Sequence, residues 1–273
     1  MTAIAVARMP RGHYRFVHVA RMEWTKLRSL RSTTWALLVI VAGTVGMGVA
    51  VLASYQPAHF ARMTAARKAS FDPTNMGFSG TLVGMLGMGV LGVLVMTGEY
   101  SSGMIRATLA AVPNRPLVLA AKAAVFGAVA LVVGEIVVFA NFLAGEAVLT
   151  SAAPHASLGQ PGVLRAVLLT GAFLALLGLI GLGLGAIIRH TAGAVATFIG
   201  GLFVAPMIIL SASGESALNT VGKYVPMFID ENSVGAVKPV AGSLSAWTGF
   251  AMMCLYAAVA LAAGGLVLVR RDA

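Results

Sequence analysis

Charge is what this sequence has least of. Only 10% of its 273 residues are Asp, Glu, Lys or Arg, while 59% are hydrophobic. A soluble domain carries about 25% charged residues because its surface must be solvated. A soluble globular fold is therefore excluded, and with it a disordered or fibrous chain. The single cysteine, Cys254, excludes an intramolecular disulfide and any cysteine-based zinc or iron–sulfur cluster, and it leaves the redox compartment unreadable. The five histidines, His13, His18, His59, His155 and His190, are scattered over termini and loops without a helical pairing, a poor basis for a haem or metal site within one chain. No H-E-x-x-H, G-x-S-x-G or G-x-x-x-x-G-K-[ST] occurs. The stretch from Gly214 to Lys223 fails as a phosphate loop because Ala217 stands where the first glycine is needed. No catalytic or nucleotide-binding signature is left. The little charge present is one-sided, a formal +10. In a soluble protein that would point to nucleic acid; in a membrane protein the question is where the cations sit.

What the sequence has in abundance is long apolar runs, consistent with a mean hydropathy of +0.90. A helix needs about 20 apolar residues to cross a hydrocarbon layer of about 30 Å. Six runs qualify: about 34–54, 77–96, 123–145, 163–188, 192–210 and 247–269. The third lies inside a longer apolar stretch, 117–149, which as one helix would be about 50 Å long; its Lys122 end is expected to project into water. The first run, behind a long polar segment, fits an uncleaved anchor better than a signal peptide, although Val51-Leu52-Ala53 resembles a cleavage site. The expected fold is thus an all-α polytopic membrane protein with both termini on one side. That side collects Arg8, Arg11, Arg15, Arg21, Lys26, Arg28, Arg31, Arg106, Arg115, Lys122, Arg189, Arg270 and Arg271 against Glu23, Glu99 and Asp272. The other side is nearly neutral: Arg62, Arg67, Lys68, Arg165, Lys223 and Lys238 face Asp72, Glu146, Glu215, Asp230 and Glu231. By the positive-inside rule the termini are cytoplasmic; the outer cluster Arg62, Arg67 and Lys68 dissents.

Three segments do not span. Residues 14–31 are amphipathic: Phe16, Val17, Val19, Ala20, Trp24, Leu27 and Leu30 gather on one side and most cations on the other, with Glu23 and Arg31 as exceptions. Such a basic helix lies along the inner membrane surface, its tryptophan at headgroup level and its cations toward anionic lipid. Residues 97–122 carry Glu99, an interrupting Gly103 and a helix-capable piece from Met104 to Ala111. Pro113 and Pro116 are expected to stop that piece. A plain connection needs no helix of its own, so a docking element is the better reading. Residues 211–246 form an outer segment apolar enough to re-enter the leaflet if protein surrounds it. The acidic triplet Asp230, Glu231 and Asn232 within it reads as a solvated turn.

Inside the spans the conspicuous polar groups are Glu135 and Asn141, with Glu146 near the outer boundary. An ionised carboxylate at the bilayer centre costs about 3 kcal/mol, so Glu135 faces protein or water; a substrate path and a structural, hydrogen-bonded role both remain open. Gly80-x-x-x-Gly84 and Gly181-x-x-x-Gly185 offer close helix contact without naming a partner helix.

The amphipathic helix containing Glu23-Trp24-Thr25-Lys26-Leu27-Arg28, directly followed by the first of six spans, resembles the opening of the bacterial type-2 ATP-binding-cassette exporter permeases. Glu99-Tyr100-Ser101-Ser102-Gly103-Met104-Ile105-Arg106, then Pro113-Asn114-Arg115 and Lys122, is similar to that family's cytoplasmic segment after the second span. Arg189-His190-Thr191-Ala192 and the apolar outer segment also fit. Met104 departs from the pattern, standing where a small polar residue such as Thr is expected. The resemblance implies a permease subunit in the bacterial plasma membrane that pairs with a second permease chain, as homo- or heterodimer, and docks on a separate cytosolic ATPase. ATP and Mg would be bound by that ATPase, with no cofactor in this chain and no nucleic-acid partner. It implies a coupling helix from Tyr100 to Ala111, with Glu99, Tyr100, Gly103, Arg106 and Arg115 as coupling residues. It also implies a brace by the interfacial helix through Trp24, Lys26, Arg28 and Arg31, and export of an amphiphilic substrate by alternating access, with Glu135 and Asn141 as path candidates. A stand-alone transporter, or an anchor or sensor without transport, is the alternative.

Overall fold

The computed structural model describes residues 15–54, 62–65, 74, 78–148, 155–213, 220–230, 234, 237 and 242–270. Several residues discussed above lie outside them: Arg8, Arg11, His13, Tyr14, His59, Arg67, Lys68, Asp72, Gly77, the 214–217 stretch, Glu231, Asn232, Lys238, Arg271 and Asp272. The regular elements among the described residues are all helical, and six helices are long and apolar enough to cross a membrane. The chain is a multi-pass, helical integral membrane protein.

The elements are α1 (Phe16–Ser29), α2 (Arg31–Ser54), α3 (Thr81–Ser101), α4 (Met104–Ala111), α5 (Arg115–Val148), α6 (Val163–Ile188), α7 (Thr191–Ile199), α8 (Ala205–Ser213), α9 (Pro226–Ile229) and α10 (Ala246–Arg270). A π-helical turn, Gly200–Val204, joins α7 to α8, so that the two make a single span. Hydropathy is blind to such a turn, because it changes hydrogen-bond register and not composition.

Several boundaries differ from the sequence reading for local reasons. α3 does not end at Met96 but continues through Ser101. It stops where Gly103 takes a left-handed φ of 71°, a region that side-chain-bearing residues enter at a cost. The stretch from Tyr100 to Ala111 is thereby divided between α3 and α4. Pro116 begins a helix rather than stopping one. It stands in the first turn of α5, where its missing N–H has no acceptor in the helix, and Asn114 Oδ1 accepts the Leu117 N–H at 3.2 Å. α5 then runs unbroken for 34 residues.

α6 is the central post. It is 72% buried over its apolar window, against 22% for α2 and for α10, and it packs on α3, α5 and α10. Lipid tails are as apolar as leucine, so the hydrophobic effect gives little reason for membrane helices to associate; close backbone approach has to supply it. A Cβ placed on Gly92 would lie 1.9 Å from the Gly178 carbonyl oxygen, and one on Gly181 would lie 2.0 Å from that of Gly89. Gly181 and Gly185 both face α3, whereas Gly80 abuts Thr44 of α2 and Gly84 abuts Leu174 of α6. Both glycine motifs are therefore consumed by packing within one chain.

Described residues of the 211–246 segment pack on the bundle. Ile229 and Val234 are fully buried in the main core, and Tyr256 Oη of α10 donates to the Tyr224 carbonyl at 3.0 Å. Asp230 is buried, only 5% exposed, instead of lying in a solvated turn.

Gly92→Val and Gly181→Val are expected to lower thermal stability in detergent, each by about 1–3 kcal/mol through overpacking of the α3–α6 seam. Gly46→Ala, where an added Cβ meets nothing within 4 Å, serves as the control and is expected to be neutral or slightly stabilising.

Candidate functional site: a buried ring of ion pairs

The start of α2, the end of α3, the start of α5, the α6–α7 turn and the end of α10 meet at one end of the bundle, here termed the basal end. α1 lies across it. Val19, Glu23 and Leu27 recur every four residues and form the arc of α1 that turns to the bundle. Val19 packs with Val112, Val118 and Ala121 in a small second core under α4 and α5. On the opposite side Val17 and Trp24 are exposed in one stripe with Arg21 and Arg28, so the helix has a bundle-facing arc and an outward face that mixes apolar and basic residues.

Glu23, the charge that broke the amphipathic pattern, is the key to the site. Lys26 Nζ bonds Glu23 Oε1 and Glu99 Oε1, each at 2.8 Å. Lys122 Nζ bonds Glu99 Oε1 at 2.7 Å and also Glu23 Oε2. Two lysines and two glutamates thus alternate in a closed, electrically neutral ring drawn from α1, α3 and α5. Glu23, Glu99 and Lys122 are each at most 4% exposed. Lys26 adds a third bond, donating to Thr108 Oγ1 of α4 at 2.9 Å. That bond ties the short helix to the same ring. Burial lowers the Lys26 pKa, but the hydrogen bonds and charges of Glu23 and Glu99 outweigh it and hold the ammonium above the ordinary lysine value.

Desolvating four charges is costly, and the geometry offsets it only because each charge has two opposite neighbours. Such a ring confers little net stability over a well-packed apolar core. Its effect is specific register: any slide of α1, α3 or α5 leaves a charge without its partner, and a slide of α4 costs Lys26 its Thr108 bond.

A second set of contacts closes the basal end. Arg115 Nη1 donates to the Leu268 carbonyl at 2.9 Å and Arg189 Nη2 to the Val267 carbonyl at 3.1 Å, satisfying the last turn of α10. Arg189 takes a left-handed φ of 61° at the end of α6 and lies 5.3 Å over the Tyr100 ring. Thr191 Oγ1 donates to Thr97 Oγ1 at 3.0 Å, pinning the α6–α7 turn to α3.

The expected site residues are thus distributed unevenly. Glu99 and Lys26 are in the ring, and Tyr100 lies half-buried under Arg189. Arg115 donates to the last turn of α10. The Arg106 side chain stands exposed on α4 with no hydrogen bond or ion pair among the described residues, so it does not hold α4; Thr108 does. Lys122, expected in water, is buried in the ring, because α1 covers the start of α5. Trp24 and Arg28 of α1 are exposed, as is Arg31, which begins α2. Glu135 and Asn141 are not brought together. The Glu135 carboxyl packs on Gly171 of α6, and Asn141, fully buried, fills the space beside Gly48 of α2. Four site residues were missed from sequence: Glu23, Lys122, Thr108 and Arg189. The one advance signal was Glu23, a carboxylate on an otherwise apolar arc.

These features define a class, a six-span membrane protein with a polar brace at one end. Comparison with protein-family models and with curated proteins finds no match.

Lys122→Met leaves two buried carboxylates with one ammonium and is expected to cost about 3–5 kcal/mol. Adding Glu23→Gln should restore part of that loss, and strict additivity in a thermal double-mutant cycle would contradict the ring. The stabilisation owed to Lys26 is fully present below the ordinary lysine pKa of about 10.4 and is lost as pH rises through its raised value. An alkaline stability loss in that window is therefore expected, and Lys26→Met should lack it.

Proposed function

We propose that this chain is the permease subunit of an ATP-binding-cassette exporter. It sits in a bacterial plasma membrane with its basal end and termini in the cytoplasm, and it pairs with a second permease chain. Both basal ends dock on a separate cytosolic ATPase that binds ATP and Mg. α4 is the coupling helix, α1 the interfacial brace, and the outer segment a re-entrant cap.

One observation carries the reading: the neutral ring with its Thr108 bond ties a short surface helix to α1 and to the roots of two long helices. If ATP hydrolysis in a partner drives this chain, the push has to be transmitted through a stiff handle. α4 has that form. Ile105 and Thr108 are buried on its inner side, while Arg106, Ala107, Ala110 and Ala111 face outward, free to meet a partner. Closure of an ATPase dimer against that face would move α3 and α5 together, opening and closing a cavity between the two permeases. The cationic basal end supports a cytoplasmic orientation, and the Tyr256–Tyr224 bond supports a cap held against α10.

The first experiment is affinity purification from the native host in mild detergent, which should bring down an ATPase in equimolar amount. Recovery of the intact chain with no ATPase would favour the anchor or stand-alone reading. Arg106→Glu should weaken the ATPase association by about tenfold, roughly 1.4 kcal/mol, with the protein still in the membrane. Gly103→Pro should uncouple hydrolysis from transport, since proline holds φ near −65° where 71° is required and removes the N–H that bonds the Tyr100 carbonyl. Unchanged association and coupling in both variants would defeat the assignment. A green fluorescent reporter on the C-terminus should fluoresce, and an alkaline phosphatase reporter there should stay inactive.

A further inference from the structure

Beside the ring lies a cleft of about 230 Å³ between α1, the first turns of α2 and the last turns of α3. Its walls change character along its length. Leu91, Leu94, Val95 and Ala36 line the part deeper in the bundle, while Glu99, Lys26, Ser32 and Ser102 line the basal part. Leu30 and Leu94, both more than 40% exposed, stand at its sides, so the cleft faces the surrounding lipid. An amphiphile in that leaflet is oriented the same way, its chain toward the bundle centre and its head toward the basal end.

The polar end also selects the kind of head. Lys26 Nζ has all three of its N–H bonds committed, to Glu23, Glu99 and Thr108. A phosphate entering the cleft would find no free donor on Lys26. Glu99 is in the opposite condition: Oε1 accepts from both lysines, whereas Oε2, buried in a residue only 4% exposed, accepts no hydrogen bond from the described residues. A buried carboxylate oxygen without a donor costs free energy that a ligand N–H can recover. Between Lys26 and Glu99, the capacity on offer is therefore for a donor.

We propose that the cleft is a lipid site selective for a primary ammonium head, of the phosphatidylethanolamine kind. The ammonium donates to Glu99 Oε2, and the upper part of one acyl chain lies along Leu91, Leu94 and Val95. The cleft is smaller than a site for a whole drug-sized ligand, which suits a head and the top of one chain with the remainder in the bilayer. Occupancy would link lipid composition to the stiffness of the ring, because the ligand and the two lysines share one carboxylate. The inference stands apart from the ATPase reading, since it needs only the permease chain.

Native mass spectrometry tests it, on the full chain purified alone and equilibrated with mixed micelles holding equal phosphatidylethanolamine, phosphatidylcholine and phosphatidylglycerol. Phosphatidylcholine is the decisive comparison, because its quaternary ammonium keeps the charge and the chains but has no N–H. Wild type should retain phosphatidylethanolamine about tenfold over phosphatidylcholine, the worth of one charge-assisted hydrogen bond. Gly98→Leu fills the cleft from a lining position where an added Cβ meets nothing within 4 Å. It should abolish the preference while leaving the melting temperature within a few degrees. Glu99→Gln should lose the preference as well; because it also touches the ring, Gly98→Leu is the deciding variant. Equal retention of the three lipids, preference for phosphatidylglycerol, or an undiminished preference in a folded Gly98→Leu would each overturn the proposal.

Discussion

Everything at the basal end depends on the neutrality of four paired charges, three of them buried. Glu23, Lys26, Glu99 and Lys122 come from three helices far apart in sequence, and none is tolerable in that environment without the others. This makes the ring a constraint before it is a source of stability. α1 can dock in one register only, the end of α3 has to stay helical through Glu99, and the start of α5 has to be covered. The left-handed turn at Gly103 then follows, because the chain must leave α3 directly after Glu99 and Tyr100 and return α4 to bring Thr108 onto Lys26.

The rest of the bundle is built on a different principle. α6 touches α3, α5 and α10 through glycines whose missing side chains let backbones meet, as at Gly92 with Gly178 and Gly181 with Gly89. These contacts are numerous, weak singly and directionless, so they specify closeness but not polarity. The basal end adds the directional part: the ring, the arginines on the α10 carbonyls, and Thr191 on Thr97. A tightly packed apolar shaft with a polar, stiffly cross-linked base is an arrangement in which force applied at α4 reaches α3 and α5 with little lost to side-chain rearrangement. That is the mechanical content of the proposed coupling role.

Much of the architecture was legible in advance, for reasons that particular residues make plain. Runs such as 163–188 can be nothing but spans, because no other structure satisfies their backbone in lipid. The amphipathic α1 and the short helix from Met104 to Ala111 were equally readable, since periodicity and the Gly103 and Pro113 breaks are local signals. Pro116 misled because proline both ends and begins helices, and only the following turn decides which. Lys122 misled because a lysine near a span end is solvated by default; nothing local says that α1 will cover it. Glu135 and Asn141 stood out equally in sequence, yet they pack on different helices, Gly171 of α6 and Gly48 of α2.

The sequence by itself determined that this is a six-span helical membrane protein with an amphipathic helix before the first span, because burial of backbone in lipid and helical periodicity act over neighbouring residues. Only the tertiary structure decided which charges pair, which arginine caps which helix, and that a cleft beside the ring is lined by a carboxylate with one oxygen lacking a donor among the described residues. Those outcomes depend on helix register between segments tens of residues apart, and register is set by the sum of many packing contacts and four mutually dependent charges. No single stretch of the chain contains that information.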